Sequence, residues 1–205
     1  MTHKDINYRE LLAFGWEKTK KHFLFLFVAS LIYLILMVLV SDTQILDDII
    51  SALLTIAFIA ITLVIAHDKT PHHKDVLRPF RNYKVFWHYF LASCVYIISI
   101  LVGLVLLILP GIYVGVRLQF FMYSIVENEN LGPIEALRES WKMTEGLFWK
   151  LFLFGCLVIL INIIGVLLLG VGLFVTIPIT GIAYALLYKK LALHTRHAPQ
   201  TEHSM

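Results

Sequence analysis

The chain has 205 residues, of which 59% are hydrophobic and 15% are charged, and its formal net charge at pH 7 is +3. Ordinary soluble domains are roughly half apolar and about a quarter charged, so this composition excludes a water-soluble globular domain. No Ser/Gly-rich or Pro-rich linker divides the chain, which predicts a single integral membrane domain over residues 1–205. The polar N-terminus has no cleavage pattern, so no removed signal peptide is expected.

Six apolar segments are predicted to cross the membrane, each as a helix. Crossing the hydrocarbon core takes about 20 residues, and residues 23–40, 49–66, 87–109 and 148–169 reach that length. Residues 112–125 and 171–188 are less clear, because the first segment is short and the second contains Pro178, which predicts a kink. Both are nevertheless predicted spans, because each directly follows a long span and leads the chain back to a charged segment. The predicted fold is an all-α, polytopic transmembrane helical bundle.

The distribution of Lys and Arg predicts the direction of the spans. Basic residues precede the first span, separate the second from the third, flank the start of the fifth and follow the sixth. The opposite loops carry none, and the loop between the first two spans contains Asp42, Asp47 and Asp48. Because short cytoplasmic loops are rich in Lys and Arg, both termini are predicted to be cytoplasmic. The expected location is the bacterial cytoplasmic (inner) membrane.

Two amphipathic interfacial helices are predicted on the cytoplasmic side, one before the first span and one before the fifth. The segments align at an offset of 125 residues, which pairs Trp16 with Trp141 and Thr19 with Thr144. Half of that offset places Phe86 near the matching position, which suggests a threefold helix-plus-hairpin pseudo-repeat. Coincidence in a Leu-rich and Phe-rich chain is the alternative. The units would cover about residues 1–67, 68–127 and 128–192, before a short polar tail at 193–205.

The stretch from Leu109 to Lys150 carries a recognisable set of motifs. It reads Leu-Pro-Gly-Ile, then Arg117, then Val126-Glu-Asn-Glu-Asn-Leu-Gly-Pro-Ile-Glu-Ala-Leu, then Ser140-Trp141 and Thr144-Glu-Gly146. It resembles the bacterial six-span membrane domain of unassigned function that precedes a glycerophosphodiester phosphodiesterase domain in some proteins. The first half of the chain matches in hydropathy and helix placement more than in residues. The resemblance implies a fold and an association with membrane lipid, but no activity.

Arg117 is the one ionisable residue that lies well inside an apolar segment. An Arg at the bilayer centre costs about 2.5 to 3.5 kcal/mol, so it normally faces a partner, water or a headgroup. At about 1.5 Å per residue it lies roughly 8 Å below the outer turn. The favoured interpretation is structural, with Arg117 bonded to an aspartate or to carbonyls freed near Pro110 or Pro178. The others are a lipid-binding or anion-binding site, and a transport pathway.

No other residues form a convincing chemical site. Trp16, Trp87 and Trp141 are predicted to be interfacial anchors rather than a ligand platform. His67, His72 and His73 share one loop, but without a nearby Cys they predict no metal site. Cys94 and Cys156 lie in apolar stretches and behave as small hydrophobes, not as a disulfide framework. Motifs of soluble enzymes are missing, so neither catalysis nor a cofactor is expected.

The sequence therefore predicts a non-enzymatic polytopic protein of the inner membrane. It would act through membrane lipids, another membrane protein or a second copy of itself, and not through nucleic acid. The alternative is a small transporter or transporter subunit for an anionic or lipid-like substrate, in which Arg117 attracts the substrate and Pro178 breaks a helix. A membrane-embedded lipid enzyme is disfavoured, because the spans contain no acid and base pair.

Overall fold

A computed structural model describes residues 6–40, 44–71, 79, 82–106, 108–168 and 172–197 of the chain. These parts contain nine α-helices: α1 (Tyr8–Lys21), α2 (Phe23–Val40), α3 (Gln44–Ala66), α4 (Tyr83–Leu106), α5 (Ile108–Leu118), α6 (Phe121–Glu127), α7 (Pro133–Met143), α8 (Phe148–Leu167) and α9 (Leu173–His197). The segment expected to hold the surface helix of the second unit falls mostly outside the described residues. The other two units show the order of one amphipathic helix and one apolar hairpin.

Within the described ranges, five stretches are long and apolar enough to cross a membrane. They are Ile49–Ala66, Tyr83–Leu104, Leu109–Glu127, Phe148–Leu167 and Leu173–Thr195. The first apolar helix, α2, adds 18 residues without a charge. The prediction of an all-α polytopic bundle is confirmed, and its six apolar segments correspond to α2, α3, α4, α5 with α6, α8 and α9.

Two of the predicted spans differ in detail from the expectation. The fourth span is not one helix, because α5 ends at Leu118 and α6 begins at Phe121. The sixth span is one continuous helix that passes through Pro178 and extends to His197. Pro178 therefore does not end the sixth span, whereas the fourth span is interrupted at residues 119–120. Helix α9 also includes the first five residues of the predicted tail, while residues 198–205 lie outside the described part.

Close contacts between glycines hold two of the hairpins together near their turns. A Cβ atom on Gly103 of α4 would lie 2.7 Å from Cα of Gly111 of α5. A Cβ atom on Gly172, directly before α9, would lie 2.8 Å from Cα of Gly165 of α8. Small residues let helix backbones approach in this way when lipid supplies no driving force for association. The two pairs are separated by 62 and 61 residues in sequence (103 to 165, 111 to 172), which matches the predicted repeat.

The starts of α2, α4 and α8 carry aromatic residues at corresponding positions. The sets are Phe23 with Phe27, Phe86 with Phe90, and Phe148 with Phe152. The rings of the first pair have centroids 5.8 Å apart and those of the last pair 6.0 Å. Residues four apart lie on one face of a helix, so such pairs support its first turn. The three sets are 63 and 62 residues apart, close to the 62 and 61 residues that separate the glycine pairs.

The amphipathic helices pack on the second hairpin helix of another unit. Helix α1 lies along α9, and α7 turns back along α6 and α5. Gly15 of α1 approaches the carbonyl oxygen of Ile179 so closely that an added Cβ atom would lie 2.4 Å from it. At the aligned position, 125 residues later, Ser140 of α7 bonds the carbonyl of Arg117. Ile179 and Arg117 are themselves 62 residues apart, so residues at aligned positions face carbonyls at aligned positions, by close approach in one place and by a hydrogen bond in the other.

The main core lies where α1, α3, α6, α7 and α9 converge, and the inner faces of α4 and α8 contribute to it. Its largest fully buried side chains are aromatic or branched and include Leu11, Phe120, Phe121, Phe154 and Tyr188. By contrast, α4 and α8 present many exposed Leu, Ile and Val side chains. In a helix bundle of this composition such faces contact lipid tails. Phe120, which lies between α5 and α6, belongs to this core, so the break between the two helices lies next to it.

Candidate functional site

The break in the fourth span is stabilised by two hydroxyl groups of the segment that ends α7. The Ser140 hydroxyl donates to the carbonyl of Arg117 at 3.0 Å and accepts from the backbone N–H of Phe120 at 3.1 Å. The Thr144 hydroxyl lies 2.9 Å from the same Arg117 carbonyl. Ser140 and Thr144 are fully buried. Backbone groups freed inside an apolar bundle must find partners, and α7 supplies them here.

The Arg117 side chain is covered by aromatic rings. Only 4% of the residue is exposed. Its Cζ atom lies 4.5 Å from the ring centroid of Trp141 and 5.8 Å from that of Tyr113. The Tyr113 ring in turn lies 5.1 Å from Phe148, at the start of α8. Tyr113 and Trp141 are 40% and 37% exposed, so the cation lies directly beneath two rings that reach the protein surface.

The guanidinium has no acidic partner among the residues that the structure describes. No described carboxylate lies within ion-pair distance of Arg117, and its buried Nε has no hydrogen-bond partner. A guanidinium directs five N–H donors outward in its own plane and accepts nothing. The aromatic rings supply no hydrogen-bond acceptor, so the buried Nε donor stays without one. The side chains of Asp42, Asp47 and Asp48, which the sequence offered as partners, lie outside the described part.

A comparison of the free energies of burial and of cation–π contact shows what the Arg117 site lacks. Burying an Arg in a membrane costs about 2.5 to 3.5 kcal/mol on insertion scales. One desolvated cation–π contact contributes about 2 kcal/mol, and an exposed one about 0.5 to 1 kcal/mol. The two rings of Trp141 and Tyr113 therefore offset much of the transfer cost. They leave the buried Nε donor unsatisfied, and a buried unpaired donor costs about 1 to 3 kcal/mol. An acceptor with negative charge would complete the site.

The structure brings together only some of the residues singled out from the sequence. Trp141 contacts Arg117, which gives this ring a partner beyond membrane anchoring. Trp16 is instead exposed on α1, with the Lys20 ammonium 5.2 Å from its ring. Trp87 is exposed on α4. The anchoring role predicted for Trp16 and Trp87 remains a prediction.

Three residues of the site were not recognised from the sequence. Tyr113 precedes Arg117 by four residues, a spacing that places both on one helix face and that could have identified it. Ser140 and Thr144 belong to the stretch that resembles the family, but the sequence does not indicate what they bond. Counting along the helix predicted a depth for Arg117 in its own span, and this depth remains a prediction. The count could not show that α7 packs against this part of the span.

The other candidate ligands form no metal site in the described residues. Within those ranges, no group of three or more His, Cys, Asp and Glu side chains could hold a metal ion. His72 and His73 lie outside them. Cys94 and Cys156 carry free thiols.

Fold and site together define an α-helical, multi-pass membrane domain with one buried cation beneath an aromatic cover. A family described as the membrane domain of glycerophosphoryl diester phosphodiesterase matches residues 87–196, more than half of the chain. The chain belongs to this family, and the matched part contains the whole Arg117 site. Neither a curated protein nor a solved structure matches the chain. The predicted family resemblance is confirmed.

Proposed function

We propose that this membrane domain binds the anionic headgroup of a membrane lipid at Arg117. The observation that carries the proposal is that Arg117 is 4% exposed, has its Cζ atom 4.5 Å from the Trp141 ring centroid, and has no described acidic partner. Phosphate oxygens match the fork of N–H donors that Arg presents, and such contacts are charge-assisted. The expected ligand class is therefore a phospholipid with a net negative headgroup.

A lipid fits the surroundings of the site better than a soluble anion does. Leu109 and Ile112 of α5 and Trp149 of α8 are exposed apolar side chains near Tyr113 and Phe148. A free phosphate would have to leave water to reach a cation among such groups, at a cost of several kcal/mol. A phospholipid carries its own acyl chains, which occupy this apolar surface while the headgroup reaches the guanidinium.

The proposed role is binding without catalysis or transport. Among the described side chains, no acid and base pair adjoins the guanidinium, and general acid–base chemistry needs one. Helix α9 runs uninterrupted through Pro178, so it does not provide the discontinuous helix on which the transporter alternative depended. The low exposure of Arg117 also favours a closed binding site over a passage.

Both chain ends are proposed to lie on the cytoplasmic side of a bacterial inner membrane. The support is the placement of Lys and Arg in alternate loops, which biases orientation during insertion. Reporter tags fused to either terminus should both be inaccessible from the periplasm. A periplasmic tag at one end only would contradict an even number of spans.

Native mass spectrometry of the full chain, purified in a non-ionic detergent, tests the binding. The probes are phosphatidylglycerol and a diacylglycerol with the same acyl chains, and the variants are Arg117→Gln and Arg138→Gln. Arg138 is an exposed residue of α7 and controls for unspecific surface charge. A hydrogen bond to a charged group contributes about 1.5 to 3 kcal/mol. Since about 1.4 kcal/mol is tenfold, Arg117→Gln should weaken phosphatidylglycerol binding at least tenfold.

The outcomes separate the alternatives. The proposal expects wild type and Arg138→Gln to retain phosphatidylglycerol equally and to bind the diacylglycerol much more weakly. Equal affinity of wild type and Arg117→Gln would overturn it. An equal loss in both variants would also overturn it, since it would indicate general attraction of basic residues to the headgroup. Competition by inorganic phosphate at the same concentration would identify a soluble anion as the ligand and contradict the lipid assignment.

A further inference from the structure

A second cluster of polar side chains joins three helices away from Arg117. Glu127 is the last residue of α6, and its Oε2 accepts a hydrogen bond from the Tyr188 hydroxyl of α9 at 2.7 Å. Its other oxygen, Oε1, lies 3.7 Å from Nε2 of His67, the residue that follows α3. His67, Glu127 and Tyr188 come from the first, second and third predicted units. One carboxylate therefore contacts all three parts of the chain.

The hydrogen bond at the other ring nitrogen fixes the tautomer of His67. Nδ1 lies 2.8 Å from the carbonyl oxygen of Leu63. A carbonyl can only accept, so Nδ1 must carry the proton in the neutral ring. Nε2 is then an unprotonated acceptor that faces the acceptor oxygens of Glu127. At 3.7 Å this contact is too long for a hydrogen bond, as expected when no proton lies between the two atoms.

Protonation would turn this contact between two acceptor atoms into an attractive one. The second proton of the imidazole can only go to Nε2, where it would point at Oε1 of Glu127. The pair would become an ion pair with a charge-assisted hydrogen bond. The side chains of His67 and Glu127 are 35% and 24% exposed, so protons from the solvent can reach the ring.

The neighbouring contacts of α9 do not depend on this proton. The Lys189 ammonium donates to the carbonyl of Ala66 at 3.0 Å. This bond attaches α9 to the end of α3 whether or not His67 is charged. The Tyr188 hydroxyl donates to Glu127, which requires only that the carboxylate accepts. The contact between His67 and Glu127 is thus the part of the cluster that a second proton on His67 would change.

The remaining charges around the cluster are of both signs. Asp68 follows His67 and pairs with Lys18 of α1 at 2.5 Å. Lys21 and Lys189 also act electrostatically on Asp68. Helix α7 contributes Glu139, which acts on Tyr188. Among the described side chains, only Glu127 lies within ion-pair distance of the His67 ring.

We propose that His67 and Glu127 form a proton-dependent latch that closes the junction of α3, α6 and α9 when the pH falls. Histidine is the side chain whose charge ordinarily changes between about pH 5 and 8. In the unprotonated state the bonds of Tyr188 and Lys189 hold the junction without a hydrogen bond between His67 and Glu127. Protonation adds the bond between α3 and α6, so local opening of both helix ends becomes rarer. The latch does not involve Arg117 and does not depend on the lipid proposal.

Hydrogen exchange followed by mass spectrometry tests the latch on the full chain in detergent micelles. Exchange is compared at pH 8 and pH 5.5 after correction for the intrinsic rates, in peptides that cover residues 63–68 and 123–128. A partly exposed ion pair should slow local opening by about two- to fivefold. Wild type should show this slowing at pH 5.5. A matched control, His22→Gln, should show it as well, because His22 lies at the junction of α1 and α2.

Two substitutions at position 67 give opposite predictions. His67→Gln places a permanent N–H donor near the position of Nε2, so exchange should be slow at both pH values. His67→Phe removes the donor and the proton, so exchange should be fast at both. A wild-type pH response that survives in His67→Phe would overturn the proposal. So would a wild type without any response, or a His67→Gln variant that exchanges as fast as His67→Phe.

Discussion

The break in the fourth span leads to a sharp prediction for Ser140. This side chain makes two hydrogen bonds, one to the Phe120 N–H and one to the Arg117 carbonyl. Ser140→Ala removes both. The carbonyl keeps Thr144 as a neighbour at 2.9 Å, whereas the N–H loses the one side-chain partner described for it. The variant should still fold, with a weakened junction between α5, α6 and α7.

The size of the effect can be worked out in two ways. A buried N–H without a partner costs about 1 to 3 kcal/mol. Measured interhelical hydrogen bonds in membranes average about 0.6 kcal/mol and reach about 1.7 kcal/mol, so two such bonds give about 1 to 3 kcal/mol. The free energy of unfolding should therefore fall by about 1 to 3 kcal/mol in Ser140→Ala.

Reversible unfolding in mixed detergent micelles measures this loss. The matched control is Ser99→Ala, because the Ser99 hydroxyl is exposed and bonds only the Val95 carbonyl of its own helix at 2.7 Å. The control should change stability by less than about 0.5 kcal/mol. If Ser140→Ala were as mild as Ser99→Ala, the reasoning that α7 satisfies the broken helix would be refuted.

Further substitutions test other parts of the structure. Gly15→Leu would put side-chain atoms against the carbonyl of Ile179, so we expect a loss of about 1 to 3 kcal/mol or more and faster hydrogen exchange in α1. Trp141→Ala removes the closer of two rings from the buried guanidinium and should lower the free energy of unfolding by at least about 0.5 to 2 kcal/mol, with Trp141→Phe less harmful. Lys18 holds the pKa of the Asp68 carboxyl below its ordinary value. The stabilisation from this pair is therefore present above the unfolded-state pKa and is lost as the pH falls through the folded-state pKa. Unfolding measured between about pH 3 and 6 should show a smaller acid loss in Asp68→Asn.

Each of these experiments has an outcome that contradicts its premise. Unchanged exchange in α1 of Gly15→Leu would mean that α1 does not lie against α9. Equal stability of Trp141→Ala and Trp141→Phe would argue against a cation–π contact. For Asp68, an acid dependence identical to that of wild type would show that the carboxylate is not the titrating partner of Lys18.

Hydropathy and charge were sufficient to predict the apolar helices of the bundle. In lipid, a spanning segment must be long enough to cross the hydrocarbon core, and its backbone groups must hydrogen-bond within the protein. The offset of 125 residues also paired α1 with α7 correctly as amphipathic helices. The alignment alone does not explain why a glycine, Gly15, occurs at the position that corresponds to Ser140. Helix α9 is unbroken beside Gly15 and needs close approach, whereas the broken helix beside Ser140 needs a hydroxyl.

The break itself had no local signal. Gln119 and Phe120 are neither Gly nor Pro, and the break is stabilised by partners from a helix that follows later in the chain. Pro178 is the opposite case. Its residue type suggested an interruption, but it lies within a continuous helix. The contact of Trp141 with Arg117 could not be predicted for the same reason, because Trp141 is 24 residues away and reaches Arg117 only through tertiary packing.

The most direct test of the central claim is an experimental structure in nanodiscs that contain phosphatidylglycerol. The account predicts a headgroup phosphate beside Arg117, with oxygens about 2.7 to 2.9 Å from the guanidinium nitrogens and the Trp141 ring against its face. A carboxylate of Asp42, Asp47 or Asp48 bonded to Arg117, with no lipid beside it, would contradict the account and make the buried cation purely structural.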